Sequence, residues 1–543
     1  MEWRSSSGRD RILLVALSTL AQLAYLCILP ISIEGDALGY YLVARYLAGD
    51  PHGLFLLQHP VGYPAFLFAT GATWLKSFKL TIAMQAIMGI AGPLLLYETL
   101  RELWRPLPLA VALIYVVSGV PYSYAKLLIT EQLYVFCVLV ATFAVSRFIS
   151  SKRARYAILA VAVATAAVLV RNEALYLGLL AFLVMAVVAW PRRRLLGTLA
   201  LSGSLAFSAL MAWSAERAHI LGDPALVGSL SNYYGHTLFY RVYLTLGGPV
   251  NFWQCVTRNS RDPSCARSSI PLVYPENGPA SHELGELLMQ WATIDGRYRF
   301  PDQTPQQIVQ DFFTEPTEAP PFDRYGQVSG LVQERFGDLK GDEFLARVAA
   351  EAFHAHPLAF YMLAAGIPPY FGISFDNALY YLALGKKTEP VIFANWQEDG
   401  YEAQPYNPDF VRPYLYPELF REYQDSAGAT SGPWQQGLLH MGRIAHSVVR
   451  NSVGLVLLIA SPLLLWTRRR ALTLLLVGMF GLMLGTYSLS SGYSMRFEHV
   501  MIPVMLMIAA IAADTLVHVI DARRARLRAS LAASASVAAD PAK

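Results

Sequence analysis

Charge is scarce in this chain. Asp, Glu, Lys and Arg make up only 15% of its 543 residues while hydrophobic residues reach 55%, and soluble domains carry roughly 25% charged residues. A chain so composed cannot be a water-soluble globule throughout, and most of it is expected to lie in a membrane. Cysteine is scarcer still: four residues exclude a disulfide scaffold or a multi-cysteine zinc module. Cys27 and Cys137 lie in apolar runs and read as small core residues, whereas Cys255 and Cys265 share a polar region and could pair in an oxidising compartment. A net charge of +4 is too small and too dispersed for a nucleic-acid partner. HExxH, Cys/His sets at metal spacing, a Walker loop and a GxSxG elbow are all absent, which excludes the commonest soluble-enzyme signatures.

What is present is apolar length. A spanning helix needs about 20 mostly apolar residues. Such runs occur near 12–33, 79–99, 107–125, 130–146, 156–170, 174–190, 195–214, 450–466, 471–489 and 499–519. The first is long and lacks a small-x-small cleavage site, so it reads as an uncleaved anchor. Short segments with clustered Lys and Arg stay in the cytoplasm. The clusters are Arg4, Arg9 and Arg11; Arg101 and Arg105; Arg147 to Arg155; Arg192 to Arg194; Arg468 to Arg470; and Arg523 to Arg528. Ten crossings place them all on one side, with both termini inside. The segment 59–76 would upset that parity as a crossing and reads as re-entrant or interfacial; the same holds for 356–375. The expected layout is a transmembrane module over 1–215 with an outer loop at 34–60, an extracytoplasmic domain over 216–447, further transmembrane helices over 448–520, and a basic then disordered tail over 521–543. The outer domain should be mixed but mainly helical, with an amphipathic helix from Asp342 to His354.

Charges at membrane depth are costly and tend to be functional. With the basic clusters assigned inside, the outer face retains few polar residues. In the first outer loop, a helix over 36–48 would put Asp36, Gly39, Tyr40 and Val43 on one face and Leu38, Tyr41, Leu42 and Tyr46 on another, as in a helix lying on the bilayer surface. Asp36 is either a first-turn acid stabilised by the helix dipole or a general base, with Glu34 its partner or a simple loop residue. Glu131 opens a later helix after Thr130, with Lys126 shortly before it; capping is the ordinary reading. Arg171 lies between two helices beside Asn172 and Glu173, either pairing at the surface or facing an anion. Arg496, Glu498 and His499 precede the last helix, which Pro503 should kink. His59 precedes a proline at an interface and is more often a polar boundary residue than a catalyst.

In order and spacing these elements resemble the GT-C superfamily of integral-membrane glycosyltransferases. The similar branch uses polyprenyl-phosphate sugars and includes protein O-mannosyltransferases and the lipid A aminoarabinose transferase. The matching elements are GDALGYYLVARYLAG at 35–49, HPVGYP at 59–64, Thr130-Glu131, RNEAL at 171–175 and, loosely, MRFEHVMIP at 495–503. The likeness covers residues 10–215 well and the last helices weakly. The acidic pair of the family is commonly Asp-Glu, whereas Ala37 follows Asp36 here, and the large outer domain falls earlier than in many relatives. The resemblance implies an all-α polytopic GT-C-like bundle in the cytoplasmic membrane, its active site extracytoplasmic. It implies inverting transfer of a sugar from a polyprenyl-phosphate carrier to an extracytoplasmic acceptor. Asp36 would be the base and Glu131 a second catalytic acid. Arg171, Lys126 and Arg496 would hold the donor phosphate, with Glu34, Tyr40, His59 and Tyr63 binding substrate. A divalent cation on Asp36 and Glu131 is compatible with two carboxylates and phosphate oxygens, and the need for one stays open.

Three other readings compete. A transporter or flippase would explain isolated charges and a Pro-kinked helix, but there is no inverted repeat and the charges gather at one face. A ligase-type transferase would use a pyrophosphate carrier and depend less on Asp36. An anchoring protein would tolerate Asp36→Asn.

Overall fold

The computed structural model describes residues 3–33, 35–50, 60–104, 106–221, 275–293, 321–355, 412–428, 461–490 and 495–538, with scattered positions near 235–239 and 434–457. Among these, 84% are helical and none lies in a strand. The fold is that of a helical membrane protein. Among the described residues, five helical stretches are long and apolar enough to cross a bilayer: Gly8–Ile28, Lys79–Leu100, Glu131–Ser151, Arg193–Glu216 and Val500–Leu531. They belong to α1 (Trp3–Ile28), α4 (Lys79–Leu100), α7 (Glu131–Ser151), α10 (Arg193–Leu221) and α16 (Met495–Ala538). Backbone polar groups in hydrocarbon must be satisfied within the segment, and a helix of about 20 residues does so at the required length.

Three expected runs form shorter apolar helices, α5 (Pro106–Val117), α8 (Ala154–Val170) and α9 (Ala174–Ala189), and a fourth forms α15 (Arg470–Ser490), whose apolar stretch is Arg470–Met483. The run at 107–125 is not one helix. Gly119 adopts φ +70° and a short helix α6 (Val120–Ser123) restarts the chain with Pro121 in its first turn. A left-handed residue ends the α5 ladder, and glycine takes that conformation without a Cβ penalty. The run at 450–466 lies largely outside the described residues, and 356–375 lies wholly outside them. Segment 59–76 contains only an eight-residue helix, α3 (Gly62–Ala69), about 12 Å at 1.5 Å per residue, far too short to cross.

Helix α7 and α8 form the closest pair at the centre, flanked by α4, α9 and α10, with α15 and α16 across them. Tyr115, Tyr134 and Phe148 are fully buried in this core beside Leu139, Met479 and Val504. Glycine lets helices approach: a Cβ on Gly89 would stand 2.4 Å from the Pro121 carbonyl oxygen. The last helix runs unbroken through Pro503 and on to Ala538. The tail expected to be disordered after Arg528 is therefore helical to that point, since its alanines have high helix propensity.

The two ends of the bundle differ in chemistry. At one end Glu98, closing α4, gathers Arg11 from α1 at 2.6 Å, Arg101 at 3.4 Å and Arg147 from α7. Arg469, before α15, pairs with Glu102 at 2.7 Å, and Asp514 of α16 accepts from the Trp104 amide at 2.7 Å. Residues from four of the basic clusters thus share one end. Separately, α11 (Pro279–Thr293), α12 (Pro321–Phe336) and α13 (Asp338–Ala355) pack around Leu284, Val332, Phe344 and Val348. The amphipathic pattern expected at 342–354 is the core of α13.

Candidate functional site

The other end of the bundle collects the polar residues. Helix α2 (Gly35–Leu47) starts at the position expected for the surface helix. It does not lie open on a surface, however: every residue from Ala37 to Ala44 other than Gly39 is among the buried core groups, and Gly39 is buried as well. Tyr41 and Leu38 pack with Phe78, Leu128 and Leu419, which cover the face that was expected to meet lipid. Part of that cover comes from α14 (Pro417–Gly428), a segment distant in sequence. Its Glu422 accepts hydrogen bonds from Ser77 Oγ at 2.9 Å and Phe78 N at 3.2 Å, Ser426 Oγ accepts from Ile31 N at 2.7 Å, and Arg45 donates to the Tyr414 carbonyl at 2.8 Å.

Chain pairing and one glutamine fix the segment before α2 against the loop before α7. Ser32 bridges Leu127 in parallel, with Ser32 N to Lys126 O at 3.0 Å and Leu128 N to Ser32 O at 3.2 Å. Gln85 of α4 donates to the carbonyls of Tyr124, Ala125 and Leu127 at 3.0–3.2 Å. It accepts from the Tyr63 hydroxyl at 2.7 Å. Tyr63 in turn meets Tyr40 edge to face, with ring centroids 5.4 Å apart. Gln85 was not anticipated, although an amide in the apolar run KLTIAMQAIMGIAG was a signal, because a polar group at that depth needs partners. Gly62 seats α3 against α8: a Cβ there would come within 2.6 Å of the Leu169 carbonyl.

Helix direction brings the remaining charges together. Helix α7 leaves this end and α8 returns to it, so the first residue of one and the residue after the last of the other coincide. Glu131 and Arg171 meet there at 2.9 Å. An acid at the start of α7 and a cation at the end of α8 each suit the local helix dipole. Arg171 also pairs with Glu173 at 3.0 Å, donates to Thr130 Oγ1 at 3.3 Å and lies over the Tyr134 ring at 5.5 Å. Glu131 is 0% exposed and Arg171 9%, so this is a buried ion cluster and not the surface pair that the spacing allowed. Thr130 occupies the N-cap position of α7 without a side-chain capping bond.

The structure thus brings Tyr40, Tyr63, Glu131 and Arg171 into one neighbourhood, with Asp36 in the first turn of α2 by its backbone. The side chains of Asp36 and Arg496 lie outside the described residues, as do Glu34, His59, Cys255 and Cys265. Lys126 faces elsewhere, into a cavity bounded by α1, α4 and α14. Burial there pushes its ammonium below the ordinary lysine range, with the Cys27 thiol opposing weakly. Cys137 is buried as expected, but Cys27 is exposed and is not a core residue. Among the described residues no three His, Cys, Asp or Glu side chains gather as a metal site.

Fold and site together define a helical membrane protein with a buried acid–guanidinium cluster at one end and an arginine network at the other. Compared with known protein families, curated proteins and solved structures, the chain matches none.

Proposed function

We propose that the protein is a membrane glycosyltransferase that moves a sugar from a polyprenyl-phosphate carrier to an extracytoplasmic acceptor. The observation that supports this reading best is the convergence of the first turn of α2 with Tyr40, Tyr63, Glu131 and Arg171 at the end opposite the arginine network. The GT-C-like layout carries ten crossings, the basic end in the cytoplasm, the acidic end outside the cytoplasmic membrane, and the domain at 216–447 on that outer side. Such placement obeys the distribution of arginine in short loops.

In the proposed displacement, the Asp36 carboxylate takes the acceptor O–H proton as the acceptor oxygen bonds to the anomeric carbon. The bond from that carbon to phosphate oxygen breaks, and the polyprenyl phosphate leaves with the electron pair. Phosphate charge develops as this bond breaks, and fixed cations are the groups that stabilise it. Arg171 and Arg496 are the proposed donors to that phosphate; Lys126, which faces the cavity between α1, α4 and α14, is not among them. Glu131 and Glu173 hold the Arg171 guanidinium, which makes Glu131 a positioning residue in this scheme. Tyr40, Tyr63, Glu34 and His59 are the proposed substrate-binding residues.

The test is sugar transfer in proteoliposomes from a panel of radiolabelled polyprenyl-phosphate sugars, comparing the parent with Asp36→Asn at matched protein levels. Transfer by the parent that disappears in Asp36→Asn, with donor binding retained, is the expected result. Transfer that survives in Asp36→Asn would move the base elsewhere, and no transfer from any donor would overturn the reading.

A further inference from the structure

Helix α16 outruns the bundle that holds it. It is buried over most of Val500 to Thr515, and every residue from His518 to Leu531 is exposed. The bundle ends at that level, where Asp514 accepts from the Trp104 amide and Arg469 meets Glu102. At 1.5 Å per residue, Leu527 lies about 18 Å and Leu531 about 24 Å beyond Thr515 along the helix axis. The headgroup layer on each side of a bilayer is only about 5–8 Å deep. A tilt of about 40°, at the steep end of the usual range, still leaves Leu527 roughly 14 Å out. Lipid therefore does not cover this part of the helix. Its surface is also more than a solvated charge run. At 3.6 residues per turn, Leu516, Ile520, Leu527 and Leu531 fall within about 60° of one another, and they are 44%, 40%, 55% and 68% exposed. Arg523 interrupts this stripe, Arg526 flanks one edge, and Arg524 and Arg528 flank the other. Over Asp521 to Leu531 these four arginines face a single acid, Asp521.

We infer that the stripe docks an acidic amphipathic helix of a partner protein at the basic end of the bundle. Apolar side chains of the partner cover Ile520, Leu527 and Leu531, and carboxylates along its edges pair with Arg523, Arg524, Arg526 and Arg528. Charge decides against a second copy of this chain. Copies in one membrane share an orientation, so their α16 helices would run parallel and set Arg523 against Arg523 inside the stripe, with further arginines along both edges. Like charges so placed are destabilising and act against self-pairing. The docking site uses no residue of the proposed transfer reaction and does not depend on it.

The test places the full-length chain in phosphatidylcholine nanodiscs and titrates it with a fluorescent synthetic helix of about three heptads, with leucine at a and d and glutamate at e and g. Fluorescence anisotropy reads the binding. The peptide should bind the parent, and its affinity should fall more than about tenfold in Leu527→Gln/Leu531→Gln and in Arg523→Gln/Arg524→Gln/Arg526→Gln/Arg528→Gln. Glutamine is a good helix former, so both variants keep α16 helical. A peptide of the same composition with its leucines out of register should not bind. Failure of the parent to bind the acidic helix, equal binding of the out-of-register peptide, or unchanged affinity in the leucine variant would overturn the docking site. A dimer in detergent that Leu527→Gln/Leu531→Gln dissociates would give the stripe to a second copy instead. Extra hydrogen-exchange protection over 523–531 in phosphatidylglycerol nanodiscs without peptide would give it to the bilayer, and either result overturns the partner helix.

Discussion

The pairing of Glu131 with Arg171 is buried and joins residues separated by 40 positions in sequence. Removing one member of a buried pair leaves the other charge without its partner, at a cost of about 3–5 kcal/mol. Glu131→Gln keeps the shape and an acceptor oxygen but strips the charge from a fully buried site. Arg171 would retain Glu173, whose carboxylate is 17% exposed, so the lower part of that range, about 3 kcal/mol, is expected. Arg171→Gln should cost a similar amount, because it leaves a buried carboxylate. The double variant Glu131→Gln/Arg171→Gln removes both charges, and its loss should fall short of the sum by about 1–3 kcal/mol, the size of coupling found for contacting residues. Equilibrium unfolding by increasing SDS in mixed micelles measures all three against the parent. Glu173→Gln is the internal control, expected to cost under about 1 kcal/mol as a partly solvated pair. Losses in the double variant that add to within about 0.5 kcal/mol would refute the contact.

Two further outcomes follow from other parts of the structure. Gly62→Ala should destabilise the protein by about 1–3 kcal/mol, as overpacking does, because the neighbours at 2.6 Å are backbone atoms of Leu169 that cannot swing aside; an unchanged SDS midpoint would contradict the seating of α3. Glu351 of α13 is partly buried, which opposes its ionisation. Hydrogen bonds from Ala280 N, Ser281 N and Ser281 Oγ outweigh that and hold its carboxyl below the usual glutamate range. A depressed folded value means that the contribution is present above the unfolded value of about 4.3 and is lost as pH falls through the folded one. Hydrogen exchange at the start of α11, corrected for intrinsic rate, should therefore show protection falling in acid, and Glu351→Gln should remove that pH dependence.

Composition and apolar length were enough to read the helical membrane character of the chain and the five described helices that are long and apolar enough to cross a bilayer. A hydrocarbon layer imposes one rule on every segment that enters it, so runs such as 79–99 and 130–146 announce themselves whatever surrounds them. Helix α2 was legible from its periodicity, and the arginines at 11, 101, 147 and 469 were legible as a group from charge distribution. The break at Gly119 was not, because hydropathy averages over a window and a single left-handed residue barely alters it. Nor was the cover over α2. Its pattern of apolar residues shows how many faces must be buried but not whether lipid or protein buries them, and α14, almost 400 residues away, supplies part of the answer.

Of the site, local sequence determined residue type and position: an acid at the first turn of α2, an acid opening α7, a guanidinium after α8. Tertiary structure alone decided which of them touch. Antiparallel passage of α7 and α8 puts Glu131 on Arg171, and Gln85 ties the loop at 124–127 to Tyr63. Lys126, similar to Arg171 as a lone cation in sequence, faces a different cavity with Lys79. The physical reason is range. Hydropathy and helix propensity act through neighbours along the chain, whereas a buried ion pair or a shared cavity depends on the directions and crossings of helices that are distant in sequence.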